Sequence, residues 1–349
     1  MTQDRGGSDE IRELTTWLRD LGATDADLEV ADIDLPGVAL NVLLREGATM
    51  SARDFATACG RPVDEVVAMY RELGIVIDDL ESPQFTEAEL DLDDLLRTAV
   101  VDQFTPQEGH ELMVVLARSL GGIADAVVAE YVQTVEARLL AGGGSLMDWA
   151  EVNAAATAMA KRLGAGLGPL FNHYLLEAVQ HQRDAQQGVS SRAVMRVAVG
   201  FVDLVGFTPL SSRLSPEELS AMVGRFESKA FDLATETGAR IVKHIGDEIM
   251  FTAVDPAAAC RMAQALSGSL EATAAAPRGG IGYGEVISRH GDYYGPVVNL
   301  ASRLTDEAVP GEILVSESVA DAGPDLDVEP AGRRMLKGFD APVPVFSLR

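Results

Sequence analysis

The sequence predicts an α+β protein in two parts: an all-helical N-terminal half, then a ferredoxin-like βαββαβ unit with a smaller extension. Three observations carry that reading. From Met195 to Ser288, apolar runs of strand length and long helical patterns follow one another as strand, helix, hairpin, helix, strand. Residues 11–187 instead repeat apolar side chains at helical spacing. Between them Gln186-Gln187-Gly188-Val189-Ser190-Ser191 is polar and reads as a linker. The expected boundaries are 1–185 for the helical domain, 186–193 for the linker and 194–349 for the second domain, and a length of 349 suits about two domains.

In chain order, Ile11 to Leu21 places Leu14, Trp17, Leu18 and Leu21 on one helical face. Leu43 to Gly74 reads as a compact helix-turn-helix: Ser51 caps one helix, Gly60-Arg61-Pro62 turns the chain, and Val63 to Leu73 forms the next. Such a unit can read DNA. An ordinary packed helical pair is preferred, because the acidity around it would repel phosphate. Thr86, with Glu89 three residues on, starts a third section; Pro106 to Leu120 and Ile123 to Leu140 follow as two helices. Ala141-Gly142-Gly143-Gly144-Ser145 is a break, and 146–187 is helical again, interrupted at Gly164, Gly166, Gly168 and Pro169. His173 and His181 lie eight apart, nearly on one helical face. Histidine titrates near neutrality, so the pair could sense pH; two exposed histidines without function is the simpler reading.

The second half opens with the apolar strand Met195 to Val202, which delivers Asp203 at its end. The chain turns through Gly206, and a helix from Ser215 to Thr237 follows. Ser215 suits its N-cap, Pro216 its first position, and Glu218 completes a capping box. Ala239 to Thr252 reads as a hairpin turning at Gly246-Asp247, Asp255 to Leu270 as a helix and Gly279 to Ser288 as a strand. A helix beginning at Asn299 and strands at Glu312 to Val315, near 326–328 and at Val343 to Leu348 end the chain. This order sets Asp203 and Asp247 on neighbouring strands at the sheet centre, and such paired carboxylates suit two Mg²⁺ ions in phosphoryl or nucleotidyl transfer. Backbone N–H groups at the glycine turn are fit to receive phosphate. His244 should point to the strand face opposite Lys243 and pack there.

Composition narrows the partners. Residues 191–349 carry 15 basic and 21 acidic side chains (net −6), whereas residues 1–190 carry 13 and 33 (net −20), for −26 in all. That balance argues against nucleic acid, which needs a basic face, and against an anionic membrane surface. Cys59 and Cys260, the two cysteines, form no metal or disulfide pattern. No signal peptide and no uncharged apolar run near the length of a membrane span is evident, so no integral membrane segment and a cytoplasmic location are expected. Lysine is rare, with four against 24 arginines, and Lys243 and Lys337 lie in the second half. A lysine point charge suits a ring nitrogen or a triphosphate, whereas arginine's fork suits a transition state.

Three segments in order, FVDLVGFT (Phe201 to Thr208), VKHIGDEIMF (Val242 to Phe251) and GDYYGPVVNLASR (Gly291 to Arg303), resemble the class III nucleotidyl cyclase catalytic domain. The resemblance covers roughly 194–349. It implies that Asp203 and Asp247, with the backbone carbonyl of Leu204, bind two Mg²⁺ or Mn²⁺ ions per site. It implies that Lys243 and Asp292 read adenine, and that Asn299 and Arg303 orient the ribose and stabilise the five-coordinate phosphorus. Gly206, Phe207 and Thr208 would cradle the terminal phosphates, and Lys337, in a weaker motif, would bind phosphate. The helical half resembles, more faintly, the regulatory domain that precedes some soluble actinobacterial adenylyl cyclases, which respond to acid pH and can bind fatty acids.

The reaction implied is attack of the ribose 3′-hydroxyl on the α-phosphate of ATP, giving 3′,5′-cyclic AMP and pyrophosphate. Because the family shares each site between two catalytic domains and this chain carries both residue sets once, a homodimer is expected. The short Gly284 to Asp292 segment resembles the subgroup with a shortened dimerisation arm. A proton or small-molecule effector at the helical half is a further expectation. Guanylyl cyclase activity is the alternative, against which Lys243 and Asp292 speak. A catalytically silent nucleotide- or DNA-binding switch is another, against which the complete residue set speaks.

Overall fold

The computed structural model describes residues 4–29, 34–187, 189, 191, 194–269, 277–323 and 325–349. The expected linker lies partly outside the described residues. By compactness the chain divides into two units, Met1–Asn172 and His173–Arg349.

The first unit is helical: α1 (Asp4–Leu21), α2 (Asp25–Glu29), α3 (Val38–Leu44), α4 (Ala52–Cys59), α5 (Val63–Glu72), α6 (Glu87–Gln103), α7 (Pro106–Tyr131), α8 (Ala137–Gly142) and α9 (Leu146–Ala185), the last continuing into the second unit. Local chemistry starts and stops them. Ser51 accepts from the Asp54 N–H and closes a capping box on α4, and Gly60 ends that helix at φ 70°, a conformation costly for any residue with a Cβ. Thr105 caps α7 in the same manner, with Pro106 at its first position. Two small cores result. Leu14 and Leu18 pack with Val38, Ala39 and Ala150. Phe55 stacks on Phe85 at 4.5 Å, and Tyr70 meets Phe85 edge-on at 5.2 Å, around the α4–α5 pair.

Two expected helix breaks are absent. Gly121-Gly122 does not separate two helices. The chain runs through it to Tyr131, widens into a π-helical turn at Val132–Glu136, and stops only where Gly143 takes φ 68°. Interior glycine costs about 1 kcal/mol each, which weakens a helix but does not reverse the chain. Undivided, Pro106–Gly142 is long and apolar enough to cross a membrane by length and composition, a candidate that two separate helices do not make. In α9 likewise the run Gly164 to Pro169 stays helical; the proline removes one ladder hydrogen bond, and the bonded turns on both sides carry the helix across.

The second unit contains β1 (Met195–Leu204), α10 (Phe207–Ser211), α11 (Pro216–Thr237), β2 (Arg240–Ile245), β3 (Glu248–Ala253), α12 (Pro256–Ser269), β4 (Pro277–Arg289), β5 (Asp292–Tyr294), α13 (Pro296–Glu307), β6 (Ile313–Ser316), α14 (Glu317–Ala322), β7 (Val328–Arg334) and β8 (Val343–Leu348). The sheet order is β2-β3-β1-β4-β6-β8-β7, with β5 paired to β4. Its first four strands are antiparallel in the ferredoxin-like arrangement, and β6 joins β4 in parallel. The expected capping box at Ser215 and Glu218 is present. α10, β5 and α14 are short additions to the expected elements, and α13 begins at Pro296, before Asn299.

Period-two alternation sends the strand side chains to the two faces of the sheet. Ala198, Val202, Ile249, Phe251 and Ile281 face α11 and α12, through Phe226, Ala230, Met262 and Leu266. Val197, Val199, Phe201 and Met250 face the other way, packing with Tyr293, Ala301 and the end of α9 at Ala185. α13 lies directly on β4. A Cβ added at Gly280 would sit 2.4 Å from both the Ala301 carbonyl oxygen and the Thr305 backbone nitrogen. Glycine there lets the helix backbone seat on the strand, and so fixes the height of Asn299 and Arg303 above the sheet.

Candidate active site

Asp203 lies near the end of β1, directly opposite Glu248 on β3 and Arg278 on β4. Asp247 occupies the tight turn of the β2–β3 hairpin, next to Gly246 at φ 65°. The two aspartates expected to share metal therefore meet at one end of the central strands. Their proximity is visible electrostatically. The Asp247 carboxyl is pushed above the ordinary aspartate range, first by burial and then by the charge of Asp203. Glu248 is pushed further, to about 7, by burial and by Asp203, Asp306 and Asp247. Carboxylates crowded this closely need a cation.

In this structure that cation is an arginine. Arg278 places Nε and Nη2 each 2.9 Å from Asp203 Oδ2, and its Nη1 donates to the Asp306 carbonyl oxygen at 3.0 Å. Asp306 in turn accepts from Arg303 Nη1 at 2.7 Å. A relay thus runs Asp203–Arg278–Asp306–Arg303 within one chain. Among the described residues no cluster of three or more histidine, cysteine or acidic side chains is gathered as a ready metal site. Two carboxylates nevertheless suit Mg²⁺, which usually takes one or two and completes its octahedron with water and substrate phosphates. The guanidinium at Asp203 marks where positive charge is wanted, so the residues fit the ion.

Lys243, on β2, forms an ion pair with Asp292, which opens β5, and Asp292 Oδ1 also accepts from the Tyr293 N–H at 2.8 Å. Lys243 and Asp292 lie 49 apart in sequence and meet in space. His244 does point to the opposite face: its ring is 5.8 Å from that of Phe231, its Nδ1 is 3.8 Å from Glu227 on α11, and its buried Nε2 has no hydrogen-bond partner among the described residues.

The other expected site residues are less closely gathered. Asn299 is exposed on α13, one turn before the half-buried Arg303. Gly206 has φ 85°, and α10 begins at Phe207 immediately after it, so the N–H groups of this turn open a helix rather than a loop; the side chain of Thr208 lies outside the described residues. Leu204 ends β1. Lys337 is exposed between β7 and β8 and has no ion pair among the described residues. His173 and His181 part company. His173 is exposed, whereas His181 is half-buried with Nε2 3.3 Å from the Tyr293 hydroxyl, its ionisation lowered by burial and then by the charge of Arg240. It lines a cavity of about 250 Å³ with Gln182, Met195, Arg240 and Tyr293.

Arg278, Glu248 and Asp306 are the residues that the sequence motifs did not single out. A lone arginine opening an apolar strand gives little signal until the strand register sets it across from Asp203.

The family model of the adenylate and guanylate cyclase catalytic domain matches residues 189–348. A Mycobacterium tuberculosis protein named only as uncharacterized is 30% identical over 352 residues, spanning 96% of this chain and 89% of its own length. A pH-sensitive adenylate cyclase of the same species is 28% identical over 365 residues, 99% of this chain and 90% of that protein. The crystal structure of the adenylyl cyclase CyaB from P. aeruginosa matches 45% of this chain and 95% of its own, at 27% identity and a TM-score of 0.42.

Proposed function

This chain belongs to the class III nucleotidyl cyclases, and within that family we propose that it converts ATP to 3′,5′-cyclic AMP and pyrophosphate, at sites shared by two copies. The observation that carries adenine is the Lys243–Asp292 pair. The ammonium supplies a donor and the carboxylate an acceptor, which complement the ring nitrogen and amino group of adenine. Guanine reverses that pattern at the same edge. The adenylate cyclase named among the full-length relatives supports the choice.

Asp203, Asp247 and the Leu204 carbonyl would hold two divalent ions. Those ions, when bound, lower the pKa of the 3′-hydroxyl and neutralise the phosphates. Arg278 balances the charge of Asp203 beforehand and, released from it, keeps its own charge beside the triphosphate. Arg303, on a helix clamped to the sheet, would meet charge developing on the α-phosphate. Asn299, one turn away, would orient the ribose, and the turn at Gly206, Phe207 and Thr208 would receive terminal phosphates. Lys337 is assigned to phosphate on its position in the sequence motif. The helical unit would regulate the reaction, through a proton or a small molecule.

Product analysis tests the reading. Purified chain with Mg²⁺ or Mn²⁺ should form cyclic AMP from ATP in preference to cyclic GMP from GTP. Lys243→Glu with Asp292→Ser should reduce ATP use by more than about tenfold relative to GTP use. Equal losses for both nucleotides would assign the pair a structural role.

A further inference from the structure

α7 is 26 residues of helix, about 39 Å long, yet Gly109 is its only buried residue among those described. With its continuation to Gly142 it is long and apolar enough, by length and composition alone, to cross a membrane. Val114, Arg118, Gly121, Asp125, Val128 and Val132 recur at alternating steps of four and three, a single stripe along the helix and into the π-helical turn, and all six are exposed. Val128 is 59% and Val132 45% exposed. Three exposed valines and a glycine share this stripe with one basic and one acidic side chain, a mixture that a partner helix of matching charge can cover. The glycines add to this. A Cβ at Gly121 or Gly122 would meet nothing within 4 Å, so nothing described within the chain requires their small size, although each weakens the helix.

The charges on the stripe identify the occupant. Arg118 and Asp125 make no ion pair among the described residues. They stand at equal distances on either side of the Gly121–Gly122 midpoint. A second α7 laid antiparallel across that midpoint sets Arg118 of each copy beside Asp125 of the other and brings Val114 near Val128. The stripe is thus complementary to itself under two-fold symmetry, as an isologous contact must be. A bilayer offers neither charge a partner. We propose that α7 is a dimerisation helix, packed antiparallel on α7 of a second copy with the two-fold axis at Gly121–Gly122. The choice of a second copy rests on the shared-site reading above, which already requires two chains.

The test uses the full chain. Arg118→Asp and Asp125→Arg, each alone, should weaken the dimer about tenfold or more in sedimentation equilibrium by setting like charges together, and the double swap should restore it. Mild oxidation of Gly121→Cys should yield covalent dimers that the parent chain, retaining Cys59 and Cys260, does not form. Circular dichroism of each variant reports whether the helices remain. A double swap as weak as the singles, or absent cross-linking in a chain that is still dimeric, overturns the α7 contact. Flotation of the chain as a monomer with phosphatidylcholine vesicles overturns it in favour of a membrane. Catalytic complementation between inactive chains is read separately: its presence without the cross-link removes this surface alone, and an active monomeric parent removes the shared site.

Discussion

Asp203 and Asp247 take their importance from what surrounds them: burial, mutual repulsion and one arginine. Asp203→Ala or Asp247→Ala should abolish cyclisation while the thermal transition stays within a few degrees of the parent, because neither carboxylate belongs to the core. Near-parental turnover in either variant would remove the two-metal assignment. Glu248 permits a thermodynamic check free of catalysis. Its carboxyl titrates near 7 in the fold against 4.5 ordinarily, so folding penalises its ionised form. The cost is absent below about pH 4.5, grows as pH rises from there to about 7, and is constant above. Glu248→Gln should therefore stabilise the metal-free protein at pH 8, by about 1 kcal/mol after allowing for partial exposure, and leave it unchanged at pH 4.5. Chelated samples melted at both pH values measure the difference; an equal shift at the two would point to packing instead.

At the scale of elements, the site depends on strand ends and on one helix pressed against the sheet. β1 brings Asp203 level with Glu248 and Arg278, and α13 holds Arg303 at the height allowed by Gly280. The end of α9 is the other element of interest. Burial and then the charge of Arg240 lower the pKa of its His181, whose Nε2 lies beside the hydroxyl of Tyr293, the neighbour of the proposed adenine-reading Asp292. A histidine whose folded pKa is depressed contributes stability above its ordinary value of 6.5, lost as pH falls through the lower one. Amide protection over 173–185, taken relative to the base-catalysed intrinsic rate at each pH, should thus fall between pH 7.5 and pH 5.5, and His181→Gln should flatten that dependence. Unchanged protection in the parent would make the contact insensitive to pH.

For the whole molecule, the shared-site reading has a numerical consequence. Asp203→Ala and Arg303→Ala chains, inactive alone, should recover activity when co-expressed, since a mixed dimer collects both lesions in one site and none in the other. Random pairing makes about half the dimers mixed, so about a quarter of parental activity is the ceiling. Differential tags would verify that mixed dimers formed. A silent mixture containing them would instead favour a site completed within one chain, for which the Asp203–Arg278–Asp306–Arg303 relay offers a route.

The α+β class, the strand order through β4 and the family's motifs are legible in the sequence because they depend on local information: periodicity, caps such as Ser215 with Glu218, and short signatures at turns. Helix starts are readable for the same reason at Ser51 and Thr86. Stops are less so. Gly121-Gly122 and Gly164 to Pro169 look like breaks, but a glycine ends a helix only when the chain adopts positive φ there, as Gly60 and Gly143 do. Only the tertiary structure decided the environment of each site residue. It placed Arg278 against Asp203, raised Glu248, set Lys243 beside Asp292 across 49 residues, and separated a half-buried His181 from an exposed His173. Charge interactions and burial fall off over a few ångströms in space, and distances in space between residues far apart along the chain are set by strand register and helix packing, which no local pattern contains.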